Sequence, residues 1–219
     1  MILTFDCYDT LVDMQAITDC IQHIASTHQA DPQQAAFLYS TYEDRLMYGE
    51  AFRPYPELIQ QNLAYLDMEL RTGQLFQNHI ETVFEAYRQL KPHPEVVATL
   101  KKLLAQGHQI YIMSNTDPIF MTHNLDHLQH AVTDVILAKD THCYKPNLKF
   151  FEYVANKLDL DHHDHTHIAM GYWWDMVPCQ TLGWRRIWIN RAGLTALPEY
   201  QPTVTLPDLT RVPDVISKW

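Results

Sequence analysis

Acidic, basic, hydroxyl and amide side chains stand where four apolar stretches of the chain end. They are Asp6, the run Ser114 to Asp117, Lys145 and Asp175. Carboxylates act in enzymes as nucleophiles and as general acids or bases, and a nearby ammonium group stabilises their ionised form. Each residue alone has an ordinary structural explanation, since Asp and Asn often cap helices. Two acids, a lysine and a hydroxyl/amide pair at four strand ends are better explained as a catalytic site.

The elements that would position these side chains alternate along the chain. Apolar strands are predicted at residues 2–5, 109–115, 132–138, 167–171 and 185–190, and helices at 94–105, 118–128, 147–158 and 175–182, with Gly107 capping the first helix. Such alternation predicts a parallel sheet with right-handed crossovers. Ligands of such sheets bind beyond the carboxyl ends of the strands, where the polar side chains stand.

Residues 13–90 contain no strand-like run. They are typical of helices, for example over 31–48 and 73–89, with a turn at RPYPE (53–57), and KPHPE (91–95) indicates a boundary. We therefore predict an α/β fold with a doubly wound parallel sheet and an inserted α-helical cap. The core would comprise residues 1–12 and 92–219, and the cap residues 13–91.

Composition limits the possible partners. The 219 residues are 47% apolar and carry a net charge of −10 without a basic stripe, so nucleic acid is not expected. The four cysteines form no CxxC pair, and no signal peptide or run of about 20 apolar residues is visible. We expect a cytoplasmic monomer or homodimer that acts on a small-molecule substrate and does not associate with membranes.

Four short motifs resemble those of the haloacid dehalogenase (HAD) superfamily of hydrolases, in order and over nearly the whole chain. They are FDCYDTLVD, MSNT, YKP and GYWWD. The resemblance implies a Rossmann-like core, a helical cap inserted after the first motif, and Asp6 as the nucleophile. It also implies catalytic roles for Thr10, Ser114, Asn115, Lys145 and Asp175. Lys145 would lower the pKa of Asp6 and keep it ionised.

Tyr8 bears on which reaction the family resemblance implies. Phosphotransferases of the superfamily have a second aspartate at this place, which protonates the leaving alcohol. The dehalogenase branch reads DxYGTL, because a halide leaves without a proton. DCYDTL is closer to that pattern, so a 2-haloacid dehalogenase-like reaction without a cofactor is favoured. Mg²⁺ would be needed only in the phosphatase alternative, with Asp6, the Tyr8 carbonyl and Asp175 as ligands.

Several residues depart from the dehalogenase pattern. Asp9 stands where the dehalogenase motif has a glycine, and Tyr172 stands where it has an asparagine. Arg45 is the arginine of this chain nearest to the position of the arginine in the dehalogenase cap. Candidate substrate-binding residues are Tyr8, Arg45, Tyr172 and Trp174. Three interpretations stay open: a dehalogenase-like hydrolase, a Mg²⁺-dependent phosphatase in which Asp9 supplies the acid, and a catalytically silent binding protein.

A histidine-rich stretch, DHHDHTH at 161–167, precedes the predicted strand 167–171. Four histidines and two aspartates could bind a transition metal. The stretch lies at the end of the sheet opposite to the predicted site, however, so we interpret it as a solvated loop.

Overall fold

The computed structural model describes residues 1–49, 51–161 and 164–219, and within them two compact units. The first unit comprises residues 1–13, 91–115 and 125–219. The second comprises residues 14–90 and 116–124. The division is close to the predicted core and cap, but the cap boundaries and the role of the cap stay predictions.

The described part of the first unit contains a parallel sheet of six strands. They are β1 (Ile2–Phe5), β2 (Gln109–Ser114), β3 (Asp134–Leu137), β4 (His165–Ala169), β5 (Arg186–Ile189) and β6 (Val204–Leu206). Their spatial order is β3-β2-β1-β4-β5-β6, and all neighbouring pairs are parallel. The chain runs outward from β1 to β3 and returns on the other side of β1 as β4. The carboxyl end of β1 therefore lies at the point where the strand order reverses, which is where such sheets bind ligands.

The second unit is helical. Its helices are α1 (Gln15–Thr27), α2 (Pro32–Met47), α3 (Tyr55–Leu70), α4 (Leu75–Asn78) and α5 (Ile80–Arg88). Asp31 starts α2 by accepting hydrogen bonds from the backbone N–H groups of Gln33 and Gln34 at 2.9 and 3.1 Å, with Pro32 in the first turn. The described residues of 14–90 contribute no strand to the sheet.

The remaining helices connect successive strands, except α11, which follows the last strand. They are α6 (Val96–Ala105), α7 (Pro118–His127), α8 (Ala138–Thr141), α9 (Leu148–Leu158), α10 (Val177–Thr181) and α11 (Val212–Ile216). Gly107 follows α6 with φ +85°, as predicted for a helix-ending glycine. The first residues of α7 group with the helical unit, where Phe120 packs on the rings of Tyr55, Phe84 and Tyr87.

The predicted parallel, doubly wound sheet is confirmed, with three local corrections. β6 was not predicted, because it has only three residues. The segment 172–176 is a π-helical turn, whereas the helix was predicted to begin at residue 175. β4 begins at His165, so the second half of the histidine-rich stretch is a buried strand and not a loop. His162 and His163 lie outside the described residues. No helix in the described part of the chain has the length and apolar character that crossing a membrane requires.

Candidate active site

Asp6 stands directly after β1, at the carboxyl end of the sheet. Its backbone N–H donates to the carbonyl of Ile168 in β4 at 3.1 Å, which extends the parallel pairing by one residue. The Thr10 hydroxyl donates to Asp6 Oδ2 at 2.7 Å, and Lys145 Nζ donates to Asp6 Oδ1 at 2.8 Å. Both carboxylate oxygens are therefore held, and the carboxyl keeps a fixed direction while its side chain remains 12% exposed.

Lys145 connects the two acids predicted from the sequence. Its ammonium group lies 2.8 Å from Asp6 Oδ1 and 2.7 Å from Asp175 Oδ1, and its side chain is 2% exposed. Asn115 fixes the lysine backbone from both sides, because Lys145 N–H donates to Asn115 Oδ1 at 2.7 Å and Asn115 Nδ2 donates to the Lys145 carbonyl at 3.1 Å. Asn115 thus orients the lysine through its main chain.

Thr10 ties the first motif to the loop after β4. Its Oγ1 accepts a hydrogen bond from the backbone N–H of Met170 at 2.8 Å while it donates to Asp6. The Met170 carbonyl in turn accepts from Trp188 Nε1 at 2.9 Å. The loop that leads from β4 to Asp175 is therefore held through both the N–H and the carbonyl of one residue, Met170.

Asp175 lies in the π-helical turn that follows this loop, and its side chain is 1% exposed. The turn forms because the backbone N–H of Asp175 and of Met176 both reach the Gly171 carbonyl, at 3.0 and 3.3 Å. Asp175 Oδ1 accepts from Lys145 and contacts His167 Nε2 at 3.1 Å. Asp175 Oδ2 is buried and has no hydrogen-bond partner among the described residues.

Gly171 leaves the space that Asp175 Oδ2 occupies. A Cβ at residue 171 would lie 2.4 Å from Oδ2 and 3.1 Å from the Cβ of Trp174, although the glycine has an ordinary φ of −59°. The glycine is required here for room and not for backbone freedom.

We predict that Gly171→Ala displaces the Asp175 carboxylate. Because a shift of about 1 Å in a catalytic group costs about 10²-fold in rate, kcat/KM should fall by that order. Overpacking should also lower the free energy of unfolding by about 1–3 kcal/mol. Gly49→Ala is the control, since among the described residues its added Cβ would meet only the Leu46 carbonyl oxygen at 3.4 Å. Equal activity of both variants would show that the displacement does not occur.

Burial and charge set the protonation of the site. Burial raises the pKa of Asp6 above its ordinary value; Lys145 opposes this, and Asp175 adds to it. For Asp175, burial raises the pKa, but Lys145 and the hydrogen bond from His167 outweigh burial and lower it. The two carboxylates raise the pKa of Lys145 despite its burial. Lys145 therefore lowers the pKa of Asp6, as predicted from the sequence, but burial, which that prediction did not count, outweighs the lysine and leaves the pKa raised.

The residues present fit Mg²⁺ poorly. Magnesium prefers six oxygen ligands in an octahedron. The facing oxygens of Asp6 and Asp175 both bind Lys145 Nζ, and within the described ranges no group of three or more His, Cys, Asp or Glu side chains could hold a metal ion.

The other predicted site residues differ in burial and in what they contact. Ser114 ends β2 and is buried. Tyr8 and Trp174 are half-buried. The Tyr172 hydroxyl donates to the Tyr200 carbonyl at 2.8 Å and accepts from Leu197 N–H at 2.8 Å, so it anchors the segment 197–200. Arg45 is exposed on α2 of the helical unit, with its guanidinium 5.3 Å from the centre of the Tyr42 ring.

Neither His167 nor the role of Arg191 was predicted from the sequence. His167 had been placed at the border of a solvated loop and a strand, yet it is fully buried and contacts Asp175. Arg191 donates to the carbonyls of Asp9 and Thr10 at 3.3 and 3.0 Å and pairs with Glu95 at 2.7 Å. It supports the turn in which Asp9 has φ +60°. Strand alternation could have revealed the histidines, because residues 165 and 167 fall on one face.

Comparisons with known proteins identify the family of the chain. A family model described as haloacid dehalogenase-like hydrolase matches residues 1–170. The chain is 23% identical to (S)-2-haloacid dehalogenase 4A of Burkholderia cepacia over 202 residues, which cover 90% of this chain and 85% of that protein.

Solved structures share the fold. The L-2-haloacid dehalogenase RSc1362 superposes with a TM-score of 0.85 at 18% identity, covering 98% of this chain and 97% of that one. The putative HAD-hydrolase YfnB of Bacillus subtilis, solved bound to magnesium, superposes with a TM-score of 0.78 at 20% identity, covering 98% and 97%. Since the family model covers most of its length, the chain belongs to the haloacid dehalogenase-like hydrolases.

Proposed function

We propose that this hydrolase displaces halide from a small 2-haloacid and that Asp6 is the nucleophile. The observation that carries the proposal is the pair Tyr8 and Lys145. A tyrosine occupies the place of the second acid that a leaving alcohol would need. The lysine lies between the two carboxylates, with its ammonium at 2.8 and 2.7 Å from them.

The first step is displacement at an sp³ carbon. An Asp6 oxygen attacks the carbon that bears the halogen, the carbon–halogen bond breaks, and the halide leaves with the bonding electrons, so that an ester forms on Asp6. Thr10 and Lys145 fix the direction of the carboxylate, which the attack geometry requires. The ester no longer carries the Asp6 charge, and Lys145 then compensates Asp175 alone.

The second step is hydrolysis of the ester. Asp175 takes a proton from water through Oδ2, which has no hydrogen-bond partner among the described residues, and the water oxygen adds to the ester carbonyl carbon. The acyl–oxygen bond breaks, the product alcohol takes the proton from Asp175, and the Asp6 carboxylic acid loses a proton to solvent. One halide and one proton are released in each turnover.

The proposal is tested with a panel of 2-haloacids and phosphate esters, each with and without EDTA. We expect halide release at a rate that EDTA leaves unchanged. Phosphate release that collapses in EDTA, with no halide from any haloacid, would instead support the Mg²⁺-dependent phosphatase. In that case Tyr8→Asp should raise phosphatase activity, because it restores the missing acid.

The pH dependence of kcat/KM provides a further prediction. Asp6 attacks only when ionised, and burial raises its pKa above the ordinary value of an aspartate. Activity should therefore fall as the pH falls, with the midpoint of the acid limb above about 3.9. A pH–rate profile of kcat/KM checks this, and a midpoint at or below the ordinary value would contradict it.

A further inference from the structure

A chain of buried polar side chains runs along β1 and β4 and ends at Asp175. Thr4 Oγ1 lies 2.8 Å from His165 Nε2 and 2.8 Å from His167 Nδ1, and His167 Nε2 lies 3.1 Å from Asp175 Oδ1. Thr4 and His167 are fully buried, and His165 is 1% exposed. This series of hydrogen bonds connects the opposite end of the sheet with the candidate active site.

The hydrogen bonds of this chain can be ordered by counting donors. An ionised carboxylate only accepts, so His167 must donate to Asp175 from Nε2. In a neutral imidazole Nδ1 then accepts, and the one hydroxyl proton of Thr4 is donated to it. The Thr4 oxygen accepts in turn from His165 Nε2–H. One arrangement therefore satisfies these three contacts without placing another charge in the core.

Aromatic side chains lie beside His167. Trp184 and Phe151 lie beside its ring, with centroids 6.3 and 6.2 Å away, and its backbone pairs with Arg186 in β5. Lys145 pairs with Asp175, Asp6 pairs with the same ammonium group, and burial keeps the nearby Cys179 thiol protonated. Lys145 already compensates Asp175, so an imidazolium is not needed.

We propose that His167 is a positioning residue for ester hydrolysis: oriented by Thr4, its neutral imidazole holds Asp175 Oδ1 and keeps Oδ2 directed at the attacking water. The inference rests on the proposed function for its kinetic consequence. Because His167 contacts Asp175 and not Asp6, its loss should slow the second step and spare the first.

A single-turnover experiment with 2-chloropropionate separates the two steps. Chloride release reports formation of the ester, and the mass of the peptide that contains Asp6 reports its hydrolysis. For His167→Phe we expect chloride release close to that of wild type and hydrolysis slower on the order of 10²-fold, with the ester accumulating. His167→Gln, whose amide can still donate, should restore part of the rate.

Matched variants of Thr4 test whether its hydroxyl orients the His167 imidazole. Thr4→Ser keeps the hydroxyl and should behave as wild type, whereas Thr4→Val removes it and should slow hydrolysis alone. His130→Gln makes the same exchange at an exposed histidine and should change neither step. Thermal unfolding confirms that each variant is folded. The inference would be overturned if the His167 variants slowed chloride release and ester hydrolysis equally, or slowed neither.

Histidine ¹⁵N NMR tests the inference without turnover. The His167 signals, identified by their loss in His167→Gln, should show the neutral Nε2–H form at about pH 7 and should change in Thr4→Val. A neutral Nδ1–H form or an imidazolium would overturn the proposal. If wild type forms no ester on Asp6, the proposed function fails, and the NMR result still decides whether His167 holds Asp175 as inferred.

Discussion

Asp6→Asn should abolish hydrolysis while the protein stays folded. The amide has no charge with which to attack carbon, so the rate should fall by roughly 10³-fold or more. The free energy of unfolding should stay within about 1 kcal/mol of wild type or rise, because the buried charge beside Asp175 is removed. Steady-state kinetics and denaturant unfolding measure the two effects.

The stability difference should depend on pH in a defined direction. The pKa of Asp6 is raised in the folded protein, so its contribution to stability is present below the unfolded pKa and is lost as the pH rises through the folded pKa. Asp6→Asn does not lose this contribution. Its free energy of unfolding should therefore rise relative to that of wild type as the pH rises from the unfolded pKa of Asp6 to the folded one. Asp134→Asn, at an exposed site on β3, is the control and should leave activity unchanged. Full activity of an Asp6→Asn protein checked for deamidation would rule out Asp6 as the nucleophile.

Lys145→Met should have the largest effect on stability. It leaves the carboxylates of Asp6 and Asp175 buried without their shared counter-charge, and removal of one partner of a buried ion pair costs about 3–5 kcal/mol. Activity should also be lost. Chemical unfolding at neutral pH gives the size of the effect, and exposed Lys139→Met is the matched control.

The same variant should recover stability in acid. Without the lysine the pKa values of both carboxyls rise, so protonation relieves their repulsion as the pH falls. Lys145→Met combined with Asp175→Asn leaves only one of the two paired carboxylates charged and should be more stable than Lys145→Met alone. A Lys145→Met protein as stable as wild type at neutral pH would contradict the assigned charge compensation.

Sequence patterns predicted the residues at strand ends well, and the reason is geometric. Asp6, Ser114 and Asn115 follow apolar runs whose ends are sharp, and a parallel sheet brings such ends to one side. Asp6, Lys145 and Asp175 accordingly meet within hydrogen-bonding distance. The family motifs supplied Thr10, whose contact with Asp6 spans only four residues.

Features that depend on tertiary packing could not be predicted. His167 resembled a polar loop residue because its neighbours at 161–164 are polar, and only pairing of β4 with β1 and β5 buries it. The π-helical turn at 172–176 depends on where the Gly171 carbonyl points. The raised pKa of Asp6 depends on burial, which a list of charged neighbours does not include.

A single turnover in H₂¹⁸O with excess enzyme and 2-chloropropionate tests the central claim most directly. If Asp6 attacks carbon, the oxygen in the product comes from the Asp6 carboxylate, and the water oxygen enters Asp6 when the ester is hydrolysed. We predict a product that contains ¹⁶O and one ¹⁸O in the peptide that carries Asp6. Product that contains ¹⁸O, with an unlabelled Asp6, would show that water attacks the substrate directly and would contradict the account.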